Sequence, residues 1–171
     1  MQFKPPPMLL TREARRPSCL ARQEAHFGNA DDALAAVREV LTIDASNVNA
    51  LLMLVDLTIE RGEFEKARST LQVLPRNPEM DALRLHLQGR ILMAESKWQD
   101  AAKQLLVAHR FLAESPGMIE RTDMALTSCF RKLGDQKSQA AAYRRVLKAN
   151  PVSMSARLGF GGDLRRQRAN A

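Results

Sequence analysis

A chain of 171 residues with 45% apolar side chains is long enough to bury a core of its own, and scarce aromatics (5%) beside plentiful Ala, Leu, Arg and Glu favour helices. No apolar run reaches membrane-span length, Met8-Leu9-Leu10 is too short for a signal-peptide core, and Cys19 and Cys129 share no metal spacing, which together predict a cytoplasmic protein with reduced thiols. The net charge of +7 is uneven: residues 1–22 carry five basic and one acidic side chain, residues 23–130 carry 11 and 16, and residues 131–171 carry ten and two.

Residues 1–13 hold Lys4-Pro5-Pro6-Pro7, which favours polyproline II and cannot begin a helix interior, and are expected to be a flexible Pro-rich leader. Pro17 suits a first helical turn, with a helix to follow over Ser18 to Phe27. Gly28-Asn29 reads as a turn, and Ala30 to Ile43 then places Ala33, Val37, Val40 and Leu41 on one helical face. Asn49 to Arg61 repeats this with Leu51, Leu54, Val55 and Thr58. Gly62 turns the chain into Phe64 to Leu74, whose face is Ala67, Leu71 and Leu74, and Pro75, Asn77 and Pro78 end that helix. The next pair runs from Asp81 to about His109, with Leu85, Gly89 and Leu92 facing Trp98, Ala101, Leu105 and Ala108. Phe111-Leu112 adds a turn before a connection at Ser115-Pro116-Gly117. Leu126 and Phe130 precede Gly134-Asp135, and Tyr143, Val146 and Leu147 precede Asn150-Pro151. Met154 to Phe160 predicts a capping helix cut short by Gly159, Gly161 and Gly162.

The organising feature is a phrase that recurs. Ala33, Ala67, Ala101 and Gln139 stand 34, 34 and 38 residues apart, each five residues after Gly28, Gly62, Ser96 or Gly134. Val37, Leu71, Leu105 and Tyr143 keep the same register. A period in this range marks a solenoid of helix pairs. With its small residues, Gly89 and the terminal Pro151, the chain resembles the tetratricopeptide repeat family over about residues 14–153. Gln139 and the charged Arg15-Arg16 depart from the family pattern.

The resemblance implies an all-α, right-handed superhelical solenoid of antiparallel helix pairs. Its four units are expected at about residues 14–47, 48–81, 82–119 and 120–153, with a capping helix and basic tail over 154–171. It also implies a non-catalytic scaffold or adaptor that holds a peptide or helix of another protein in a groove lined by first helices. Matched places make Arg22, Asn49, Leu52, Asp56, His86, Arg90, Arg121, Met124 and Ser128 the groove candidates. At the places where one subset of the family clamps a C-terminal carboxylate, only Arg22 has suitable chemistry. His26, His86 and His109 have no local partners at zinc spacing, and no nucleophile elbow is present, so neither enzyme nor cofactor is expected. The alternative reading is electrostatic binding of nucleic acid or an anionic surface by the basic C-terminal region.

Overall fold

A computed structural model describes residues 30–112 and 115–169 of the chain. Among them are eight helices and no strand: α1 (Ala30–Ile43), α2 (Val48–Glu60), α3 (Phe64–Val73), α4 (Pro78–Ala94), α5 (Trp98–Phe111), α6 (Pro116–Leu133), α7 (Gln136–Ala149) and α8 (Met154–Ala169). They fall into two compact units, one ending at Pro75 and the other starting at Arg76.

In the first unit α2 packs on both α1 and α3. Ala33, Leu34, Val37 and Val40 of α1 close on Ala50 and Leu57 of α2, and removal of this apolar surface from water drives the pairing. Asn47 starts α2 by accepting a hydrogen bond from the Ala50 N–H at 3.1 Å, which satisfies one orphan donor of the first turn. Gly62 turns the chain at φ +73°, and Ala67 of α3 is fully buried. α3 stops after ten residues because Leu74 must be extended (ψ 143°) ahead of Pro75.

In the second unit the chain re-enters a helix earlier than expected. Pro78 begins α4 rather than ending what precedes it: its fixed φ suits the first turn, and the Asn77 side chain accepts from the Met80 N–H at 2.8 Å. α4 and α5 cross at Gly89, where a Cβ would lie 2.6 Å from Leu105 Cγ, so only glycine fits without displacing a buried leucine. α5 has 14 residues, as α1 and α7 have, so it carries no turn of its own beyond theirs at Phe111; α3, at ten, is the short one of the set. Ser96 occupies the place of the turn glycine and takes φ +62°. Gly134, at φ +73°, ends α6, and Asp135 caps α7 by accepting from the Ser138 N–H at 3.0 Å.

Leu126, Cys129 and Phe130 of α6 fill the layer between Ala101, Leu105 and Ala142. α8 then packs on α7 through Ala156 and Phe160 against Tyr143 and Val146. It does not stop at its glycines but runs on to Ala169. Gly159 has a packing reason, since a Cβ there would come within 2.7 Å of Tyr143 Cζ. Glycine weakens a helix relative to alanine without forbidding it, and the contact with α7 holds the first turns in place.

Candidate functional site

The predicted groove residues sit on the first helix of each pair, apart from Arg22, which lies outside the described residues. In the first unit, α2 carries Asn49 exposed and Leu52 and Asp56 half-buried. These follow one another at three- and four-residue spacing, so they form one strip beside the buried face of Leu51, Val55 and Thr58. In the second unit, α4 carries His86 and Arg90, and α6 carries Arg121, Met124 and Ser128. Arg121 is exposed, and Arg90, Met124 and Ser128 are half-buried.

His86 differs from a groove-lining residue in being 4% exposed. Its Nδ1 lies 2.9 Å from the Thr122 hydroxyl, which itself donates to the Met118 carbonyl at 2.7 Å. The hydroxyl has one proton and spends it on that carbonyl, so His86 Nδ1–H is the donor to Thr122. Burial lowers the His86 pKa to about 4, and the Arg90 and Arg121 guanidinium groups push it the same way. The imidazole is therefore neutral at pH 7, and two cations, one from each of two neighbouring first helices, bear on it. Arg90 and Arg121 of the predicted set, on neighbouring first helices, thus make up a candidate seat of positive charge near His86. Met124 instead packs toward Tyr143, Val146 and Ala156, and the Ser128 hydroxyl turns back to the Met124 carbonyl at 3.3 Å.

One polar cluster escaped the sequence reading. Asp123 of α6 is fully buried, and its Oδ1 accepts from Arg145 Nε at 2.9 Å and Nη2 at 2.5 Å. The carboxylate thus ties α6 to α7, while His109 Nδ1 of α5 stands 3.5 Å from the same oxygen without hydrogen-bonding it. The signal was available: Asp123 falls on the apolar stripe of Ile119, Leu126 and Phe130, at spacings of four, three and four. An acid on such a stripe needs a partner, because burying a lone charge is costly. Nearby, Asn150 Nδ2 and Ser153 Oγ donate to Glu120 at 2.9 and 2.7 Å, holding its carboxyl below the usual range.

Other chemistry is sparse. Cys129 is buried, which pushes its thiol up to about 11 and leaves it protonated at neutral pH. Among the described residues no three His, Cys, Asp or Glu side chains gather as metal ligands, and no helix is long and apolar enough to cross a membrane. A hollow of about 1030 Å³ opens in the second unit where the start of α4 meets the end of α5, with Ala82, Leu85, Phe111 and Leu112 in its lining. It shares no lining residue with the Arg90–Arg121 seat.

A family model described as tetratricopeptide repeat matches residues 25–91. Among solved structures, the chain is similar to MamA, with 20% identity and a TM-score of 0.57 over 86% of this chain and 84% of that one. It is also similar to TTC0263, a thermophilic TPR protein of Thermus thermophilus, with 18% identity and a TM-score of 0.53 over 88% and 98%. At these identities the likeness is one of fold. No curated protein matches the chain.

Proposed function

We propose that the chain is a tetratricopeptide repeat protein and, like members of that family, a non-catalytic adaptor gripping a segment of another protein; the repeat model matched over residues 25–91 and the fold shared with MamA and TTC0263 support this reading. The first-helix faces do the gripping. Asn49, Leu52 and Asp56 form the contact strip of the first unit, and Arg90 and Arg121 form that of the second.

The observation that supports this reading is that Arg90 and Arg121, on neighbouring first helices, both bear electrostatically on buried His86. A protonated imidazole there would add a third cation at a buried place. The neutral ring instead supports the α4–α6 contact through Thr122, and the positive charge of the seat rests on the two guanidinium groups. Guanidinium pairs suit carboxylates, which they bind through paired, charge-assisted hydrogen bonds. The segment gripped in the second unit is accordingly acidic. Leu52 adds an apolar contact on the strip of the first unit, in keeping with peptide recognition that mixes side-chain seats with polar contacts.

The test is quantitative capture from the native cell with the full chain as bait, comparing wild type with Arg90→Glu/Arg121→Glu and with Asp56→Arg. The reading predicts a protein held by wild type and lost from the double charge reversal. Retention of every specific partner by both variants would reject use of these faces.

A further inference from the structure

We propose that α8 is a second docking face, built for an acidic amphipathic helix of another protein. The argument begins with what the same register does one unit earlier. Glu120 and Met124 of α6 are covered by later stretches of the chain: Glu120 holds Asn150 and Ser153, and Met124 packs with Tyr143, Val146 and Ala156. Thirty-four residues on, Met154 and Leu158 of α8 occupy the same places. They are 64% and 69% exposed, beside Val152 at 78%. No described element covers them.

Two glycines extend the same face. Met154, Leu158, Gly161 and Gly162 follow at i, i+4, i+7 and i+8, so they share one side of α8. A Cβ on Gly161 or Gly162 would meet nothing within 4 Å, in contrast to Gly89 and Gly159, whose neighbours leave no room for one. Both weaken the helix relative to alanine, and neither has a packing reason among the described residues. A close approach by a helix from outside gives them one, because the missing side chains let two backbones draw together.

Charge selects the occupant. α8 carries Arg157, Arg165, Arg166 and Arg168 against one acid, Asp163, and Arg157 is exposed, three residues after Met154 and four before Gly161. A basic helix with an exposed apolar stripe fits a partner helix with an apolar stripe and acidic flanks. It fits nucleic acid less well. Phe160 is already engaged, tilted against Tyr143 with 5.9 Å between centroids and with the Arg144 guanidinium 5.8 Å from its ring centroid, so it offers no free platform for a base.

The experiment is fluorescence anisotropy on the full chain with a labelled designed helical peptide of about 18 residues, leucine at i, i+3, i+4 and i+7 and glutamate elsewhere. Its controls are a lysine-flanked version, a scrambled glutamate version and a single-stranded DNA of similar length. The expected result is that Leu158→Asp weakens the glutamate peptide by about tenfold or more. Gly161→Gln, which should raise the melting temperature through helix propensity, should weaken it as well. The lysine-flanked and scrambled peptides should bind at least about tenfold more weakly. Because the proposed groove also takes acidic segments, Leu158→Asp is repeated on the Arg90→Glu/Arg121→Glu background, where it should weaken the peptide as it does in wild type, which separates this face from the groove. The proposal is overturned by no binding up to about 1 mM, by scrambled peptide or DNA binding as tightly and ignoring Leu158→Asp, or by sedimentation in which wild type self-associates through Leu158, making a second copy the occupant.

Discussion

Removing either side of the buried Asp123–Arg145 pair should be costly, and unequally so. Asp123 is fully buried while the Arg145 side chain is 37% exposed. Arg145→Ala strands a carboxylate in the interior with only His109 at 3.5 Å for company. Breaking a buried pair from that side costs about 3–5 kcal/mol. Asp123→Ala strands nothing, because a partly exposed guanidinium can turn to water; the loss is the charge-assisted hydrogen bonds and some packing, about 2 kcal/mol. Asp123→Leu goes further and places an apolar residue on the stripe of Ile119, Leu126 and Phe130, so it should fall within about 1 kcal/mol of wild type. Urea unfolding of the three variants at pH 7, followed by circular dichroism, measures the order. Asp123→Ala proving worse than Arg145→Ala, or all three lying within error of wild type, would refute the reasoning.

Three further outcomes rest on the packing. The His86 pKa is depressed from 6.5 to about 4 in the folded chain, so between those values the unfolded chain binds a proton that the folded chain refuses. Its contribution therefore destabilises as pH falls from 6.5 toward 4, by on the order of 2–3 kcal/mol in all; His86→Leu should flatten that part of the pH–stability curve, and an unchanged slope would place the titration elsewhere. Ala67→Leu should cost about 1–3 kcal/mol by overpacking the α2–α3 contact, read as a lower melting temperature. Ser96→Gly should stabilise by about 1 kcal/mol, since Ser96 holds a left-handed φ of +62° that glycine adopts freely; a lower melting temperature would show that the serine side chain matters there.

The helix pairs were legible because each rests on local, repeated signals. Ala33, Ala67 and Ala101 keep a 34-residue step, and Gly62 and Gly134 sit at the turns where a positive φ is needed. Element boundaries were less legible where one residue type serves two roles. Pro78 follows a helix end yet begins α4, and only the Asn77 cap distinguishes the cases. The glycines of α8 read as a stop, but contact with α7 outweighs their propensity.

The site was legible in position more than in chemistry. Placing Arg90 and Arg121 on successive first helices required only the period. Seeing that His86 is buried and neutral required the α4–α6 contact with Thr122, which joins residues 36 apart. Asp123 and Arg145 are 22 residues apart on different helices, and nothing in their local sequence names one as the partner of the other. Asp123 could still have been flagged as an acid on an apolar stripe; its partner could not.

The central claim is that this chain works by gripping an acidic protein segment through Arg90 and Arg121. The most direct measurement is isotope-labelled capture on wild type, on Arg90→Glu/Arg121→Glu and on a control with Gln72→Glu, an exposed position on α3. The account predicts a protein enriched equally by wild type and control, carrying an acidic segment at the cross-linked contact, and depleted about tenfold or more by the double reversal. Equal enrichment by all three, or a contact segment without acidic residues, would contradict it.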